Sequence, residues 1–224
     1  MTEEDLWTAV DGYIAERLVP PDPALAAALE SNAANGLPAI DVAPNQGKFL
    51  YLLAQMVNAR RILEIGTLGG YSSIWLARAL PADGRMVTLE LDSKHAEVAT
   101  GNIASAGLGK IVEVRVGPAT DSLARLVQEN AQPFDLIFID ADKPGYPSYL
   151  TGALRLARKG TVILLDNVVR DGEVIDARST DDRVHGVRTV FDMIAAEPRL
   201  SATALQTVGS KGYDGFAMAL VVAD

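Results

Sequence analysis

The chain has 224 residues, long enough to bury one sizeable core and short enough that a single domain over 1–224 is the expectation. Apolar residues make up 49% and charged ones 22%, a balance that excludes disordered and fibrous classes. Twenty Lys and Arg stand against 29 Asp and Glu, a net charge of -9 that repels nucleic acid and anionic lipid, and the absence of cysteine removes disulfides, thiolate metal sites and Cys nucleophiles. The opening MTEEDLWTAV lacks the basic flank and apolar run of a secretory signal, and no apolar run approaches the ~18 residues of a membrane span. A cytoplasmic protein without membrane partners is expected.

Apolar residues at helical spacing over 6–29, broken by Pro20, Pro21 and Pro23, predict two short helices joined by a stiff turn. Residues 32–44, rich in Asn, Ala, Gly and Pro, read as loop. A helix follows over 46–58 with Phe49, Leu50, Leu53 and Val57 on its apolar face; residues 1–58 thus form a helical cap before the core of 59–224. From Arg61 the runs RILEIG, MVTLELD, IVEVRVG, FDLIFID and TVILLDN alternate with amphipathic segments, the pattern of a parallel sheet covered by helices on both faces. A polar loop, DGEVIDARSTDDR, leads to a helix over 187–197. LSATALQTV and GFAMALVVA then flank a turn and predict an antiparallel hairpin at the sheet's edge. The expected class is α/β, a Rossmann-like seven-stranded, mostly parallel sheet.

LEIGTLGGYSS puts Gly66, Gly69 and Gly70 at the first strand-to-helix corner, where a missing Cβ permits a tight turn or a ligand's approach. The spacing is GxxGG and not the GxGxxG of a dinucleotide site, which opposes a nicotinamide cofactor. Glu90 closes the second strand, where such folds present a carboxylate to a ribose diol. A plain turn and a solvated strand end would look the same.

Ligands of open parallel sheets bind outside the carboxyl ends of the strands, and the chain sets Asp140, Asp142, Asp166 and Asn167 at such ends, with Lys143 beside them. Clustered carboxylates are costly unless a cation joins them, and two Asp with an Asn amide suit a hard ion such as Mg²⁺, Mn²⁺ or Ca²⁺. Each Asp alone is also a common helix cap.

Together, QGKFLYLL, LEIGTLGGYSS, the strand ending in Glu90, VGPA, FDLIFIDADK, ILLDN and the final hairpin make the sequence resemble the cation-dependent class I O-methyltransferases that use S-adenosylmethionine, the group of catechol and caffeoyl-CoA O-methyltransferases. The resemblance spans nearly the whole chain. It implies that Gly66, with Glu64 and Thr67, faces the methionine part of the cofactor and that Ser72 meets its carboxylate. It places Glu90 on the ribose, Ala119 beside the adenine and Val42 in backbone contact. Asp140, Asp166 and Asn167 match the metal ligands, Asp140 and Asp142 cofactor or substrate contacts, and Lys143 the general base. A homodimer joined through the N-terminal helices and the hairpin is implied as well.

The implied chemistry is coherent. A phenol is a weak nucleophile at neutral pH, a ligated divalent ion lowers the pKa of a bound hydroxyl, and a vicinal diol offers that ion two oxygens. Lys143 takes the departing proton in this reading, and pairs with Asp140 or Asp142 in the plainer one. EEDLWTAV and NVVRDG lack the basic and aromatic residues of the plant caffeoyl-CoA enzymes, which disfavours a CoA thioester. Arg170, His95 and His185 read as surface residues, Arg170 with pairing to an anionic substrate as its alternative and His185 with a secondary substrate role; Trp7 and Trp75 read as packing, and Tyr149 as packing before pocket wall. Tyr146 reads as pocket wall or packing, and residues 171–183 as a substrate lid. The expected function is methylation of a catechol-like small molecule; an NAD(P)-dependent oxidoreductase and a non-catalytic binding protein are the alternatives.

Overall fold

The computed structural model describes residues 2–224. Three helices come first: α1 (Glu3–Leu18), α2 (Pro23–Ala34) and α3 (Pro44–Met56). Thr2 and Asp5 form a capping box on α1, and Asp22 caps α2 by accepting hydrogen bonds from the backbone N–H groups of Ala24 and Leu25, with Pro23 in the first turn where its missing N–H costs nothing. The turn between α1 and α2 is the one the prolines predict. α2, however, runs through Ala34, beyond the expected loop start at residue 32, because Asn32 is buried and bonded rather than solvated.

The alternating region gives β1 (Arg61–Ile65), α4 (Tyr71–Arg78), β2 (Arg85–Glu90), α5 (Ser93–Ser105), β3 (Val112–Val116), α6 (Ala119–Gln128), β4 (Leu136–Ile139), α7 (Tyr146–Arg155) and β5 (Val162–Asp166). α8 (Asp182–Ala196) begins five residues before the expected 187, since the Asp181 carboxylate accepts from the Arg183 N–H and starts the helix there. β6 (Leu200–Gly209) and β7 (Gly212–Val221) close the chain as the expected hairpin. The seven strands lie in the order β3-β2-β1-β4-β5-β7-β6. β1 to β5 are mutually parallel where paired, and β7 is antiparallel to both β5 and β6.

β1, β4 and β5 are apolar almost throughout because both faces of the sheet are covered. One buried cluster packs Ile65, Ile137 and Leu165 against α6, α7 and α8; the other packs Ile62, Phe138 and Leu164 against α2, α3 and α4. The chain reverses its direction of winding between β1 and β4, so the carboxyl ends of these neighbours open into a crevice.

Candidate active site

A cavity of about 680 Å³ fills that crevice. Gly66, Thr67, Leu68 and Ser72 after β1, Glu90 at the end of β2, Ala119 at the start of α6, and Asp140, Asp142 and Lys143 after β4 all line it, with Asn167 after β5. Val42 and its neighbours Pro38, Ile40 and Asp41 form the opposite wall. The segment read as loop, in which the resemblance singled out Val42, thus supplies a side of the cavity.

Two glycines have distinct reasons to be glycine. Gly66 has a φ of 99° and packs so closely on the end of β4 that a Cβ would stand 1.9 Å from the Asp140 carbonyl oxygen. Gly69 leaves room for a side chain of α2: a Cβ there would stand 1.8 Å from Asn32 Oδ1. Asn32 donates to Asp41 Oδ1 at 2.9 Å and accepts from Asn102 Nδ2 at 3.0 Å, while Asn102 also donates to the Gly69 carbonyl at 2.8 Å. This buried amide pair ties α2, α5 and the glycine corner to a carboxylate in the cavity wall. Burial raises the pKa of Asp41.

Glu90 braces the corner from β2. Its Oε2 accepts from the Leu68 N–H at 2.8 Å and the Thr67 N–H at 3.2 Å, and Oε1 accepts from the Asp92 N–H at 2.9 Å. Each oxygen keeps acceptor capacity for a ligand hydroxyl. Glu64 is different: it is fully buried and does not line the cavity. It accepts from Ser72 Oγ and Thr88 Oγ1, each at 2.7 Å, and from Ser73 Oγ. Desolvation pushes its carboxyl up to about 7, against the lowering effect of the three hydroxyls. Glu64 therefore reaches the cavity through Ser72.

The acids divide by partner. Asp140 accepts from Lys143 Nζ at 3.1 Å, and the same ammonium donates to the Ala141 carbonyl at 3.0 Å. Asp142 caps the turn at Lys143–Gly145 through the Gly145 N–H at 3.0 Å and accepts from the Tyr149 hydroxyl. Asp166 is buried; it accepts from the Asn167 N–H at 2.8 Å and from the Gln46 amide of α3. Burial, then the charge of Asp140, raises the Asp166 carboxyl.

The carboxylate of Asp140, the Asp166 carboxyl raised by burial and then by that charge, and an Asn167 side chain without a hydrogen bond among the described residues form an oxygen donor set that fits a hard divalent cation. Among the described residues, no group of three or more His, Asp or Glu forms such a cage. The candidate set is two acids and an amide.

Three residues depart from their expected places. Arg170, read as surface, lines the cavity and pairs with Asp214 at 3.4 Å. His95, also read as surface, lines it too, with Nδ1 3.7 Å from Glu90 Oε1. Tyr149 lines the cavity instead of merely packing, while Tyr146 is buried and donates to the Asp166 carbonyl at 2.7 Å. His185 lines neither this cavity nor the smaller one of about 310 Å³ behind Asp166; its Nε2 lies 2.7 Å from the Ser179 carbonyl. Within residues 171–183, the expected lid, Arg183 alone lines the cavity. His95 and Tyr149 were within reach of sequence reasoning, because each lies on the helix that follows a strand ending at the crevice.

A family model for O-methyltransferases matches residues 19–220. The chain belongs to this O-methyltransferase family. It is 56% identical to a catechol O-methyltransferase of Niastella koreensis over 96% of this chain and 98% of that one. It is 54% identical to a catechol O-methyltransferase of Mycobacterium tuberculosis over 95% and 94%. Among solved structures, an O-methyltransferase from Bacillus cereus in complex with SAH superposes with a TM-score of 0.96 at 60% identity, covering 97% of this chain and 99% of that one. One from Streptomyces achromogenes involved in tomaymycin synthesis, in complex with SAM, matches with a TM-score of 0.96 at 49% identity over the full length of both. The chain is therefore an enzyme, and the oxidoreductase and non-catalytic readings are set aside.

Proposed function

We propose that this O-methyltransferase moves the methyl group of S-adenosylmethionine to one hydroxyl of a catechol-like diol, with a divalent cation held by Asp140, Asp166 and Asn167. The observation that carries the proposal is the meeting, in one cavity, of a cofactor end lined by Gly66, Thr67, Ser72, Glu90 and Ala119 and an acceptor end lined by Asp140, Lys143 and Asn167. Relatives named for catechol and structures bound to SAM or SAH support it.

In this reading Ser72, steadied by Glu64, holds the cofactor's carboxylate, Gly66 and Thr67 face its methionine part, Val42 adds backbone contacts, Glu90 takes the ribose hydroxyls and Ala119 lies beside the adenine. Asp142 stays tied to Tyr149 and fixes the turn that carries Lys143. A bound cation supplies Lewis acidity and a fixed seat for the diol, Mg²⁺ being the first choice and Mn²⁺ or Ca²⁺ the others. Transfer breaks one C–S bond and forms one C–O bond, releasing S-adenosylhomocysteine. The hydroxyl's proton goes to Lys143 Nζ in its neutral amine form, so the ammonium that contacts Asp140 must first leave that ion pair and give up a proton to solvent.

The test is methyl transfer from labelled S-adenosylmethionine to a panel of catechols with Mg²⁺ and with excess chelator. Transfer should vanish with chelator. Asp166→Ala should lose both activity and calorimetric Mg²⁺ binding, and full activity in that variant would remove the cation assignment. Glu90→Ala should weaken cofactor binding by about 1–3 kcal/mol; unchanged affinity would refute the ribose role.

The whole chain is read as one catalytic domain with residues 1–58 as its cap. No helix among the described residues is long and apolar enough to cross a membrane. We read the enzyme as a cytoplasmic homodimer that acts on a small molecule and not on nucleic acid, in keeping with its net charge of -9.

A further inference from the structure

The acceptor end of the cavity holds two guanidinium groups that methyl transfer itself does not need. Arg170 lies three residues past Asn167, and Arg183 is the second residue of α8; both line the cavity. Arg170 carries five N–H donors. Its side chain has one hydrogen bond, from Nη1 to Asp214 Oδ2 at a long 3.4 Å, and its Nε is buried with no partner.

Asp214 is itself occupied elsewhere. Its Oδ1 accepts from the backbone N–H of Val169 at 2.8 Å and of Arg170 at 3.0 Å, so it shapes the turn more than it saturates the guanidinium. The turn is unusual: Asn167, Arg170 and Asp171 have φ values of 54°, 56° and 54°, and Gly172 follows at 86°. Left-handed non-glycine residues in such a cluster are kept where the surrounding structure has a use for the conformation. Here the conformation brings Arg170 to the cavity wall. Arg183 pairs with Asp181, whose carboxyl it holds at about 2 with help from Arg170, so the two guanidiniums share one neighbourhood.

A chain with a net charge of -9 repels small anions at long range, and a planar guanidinium with free donors is the side chain suited to overcome that locally for a carboxylate. We propose that the preferred acceptor is a catechol bearing a carboxylate on a short side chain, and that Arg170, with Arg183 beside it, is the specificity-determining anchor. The inference rests on the diol-methylation reading and adds the acceptor's charge to it.

A matched pair of ligands isolates that charge: 3-(3,4-dihydroxyphenyl)propanoate and its methyl ester share the same diol. Calorimetry with S-adenosylhomocysteine and Mg²⁺ present should show the acid binding at least tenfold tighter than the ester, and kcat/KM should show the same ratio. Arg170→Leu should bring both ratios close to one through KM, Arg170→Lys should keep part of the preference, and Arg183→Leu should reduce it less. Equal binding of acid and ester to the unmodified enzyme would overturn the proposal, as would an undiminished ratio in Arg170→Leu. If that variant fails to fold, the Lys and Arg183 variants decide the matter by the same ratios. Absence of transfer to either ligand would count against diol methylation, while the binding ratio would still judge the anchor.

Discussion

Glu64 shows how far a buried carboxylate governs a site it does not enter. It sits beneath Ser72, fully buried, and its carboxyl is pushed up from 4.5 to about 7, chiefly by burial. The folded form then binds the proton more tightly than the unfolded chain, so this residue's stabilising effect is complete below about pH 4.5 and is lost as pH rises through about 7. Relative to Glu64→Gln, the unmodified enzyme should lose on the order of 2–4 kcal/mol of stability between those limits. Denaturant melts of both proteins across that range measure it, and parallel pH profiles would count against the burial account. Lys143→Ala should lower kcat by on the order of 10²–10⁴ with a smaller change in KM, in single-turnover and steady-state assays. Unchanged turnover would leave Lys143 only its ion pair with Asp140. Sequence position brought Glu90, Asp140 and Asn167 to the crevice because strand ends are legible from periodicity. It favoured packing for Tyr149 over Tyr146, the reverse of how α7 places them, and kept Arg170 at the surface, since its placement depends on a left-handed turn and on Asp214, 44 residues away.

The parallel strands could be read from their apolar runs, and the final hairpin from its two runs around SKGYDG. What escaped was the use of α2. Its mixture of Ala and Asn reads as a fading helix, yet Asn32 fills the space left by Gly69 and joins Asn102 and Asp41 in one hydrogen-bonded set. Such a bond network spans residues 32 to 102, and local pattern contains no trace of it. Gly69→Ala would drive a methyl group into the Asn32 amide, and should cost about 1–3 kcal/mol in urea denaturation, the usual penalty of an overfilled site. Asn32→Ala alone should also destabilise, by removing the donor to Asp41 and the acceptor of Asn102 at 3.0 Å. The two changes combined should cost less than their sum, because the smaller side chain vacates the space the new methyl needs. Simple additivity in that cycle would show that the glycine answers to something other than Asn32. Cofactor affinity should follow stability in this series, since the same network holds Asp41 in the cavity wall.

At the scale of the molecule, the helices α2 to α8 all bury side chains, whereas α1 buries none. Leu6, Val10 and Tyr13 recur at helical spacing on it with exposures of 47%, 47% and 59%, and β6, the edge strand near it, exposes Leu205 and Val208. A helix is held in place chiefly by packing of an apolar face, and an edge strand with free backbone groups is a ready pairing surface. α1 is anchored to the rest of the chain by polar contacts: Asp11 accepts from Asn45 Nδ2 and from the Ser210 N–H at the hairpin turn. Those bonds fix its position and leave its apolar row outward. A second copy of the chain is the occupant that the proposed homodimer assigns to that row. Light scattering should then report twice the 23.8 kDa chain mass. Leu6→Glu with Val10→Glu should shift the protein to the monomer while leaving its far-ultraviolet dichroism unchanged, because neither residue is buried within the chain. A monomer in the unmodified enzyme, or a dimer untouched by the double change, would move the contact away from α1. Because Asn45 adjoins Gln46, which bonds Asp166, loss of the dimer should also loosen the cation end of the site, read as weaker Mg²⁺ binding by calorimetry.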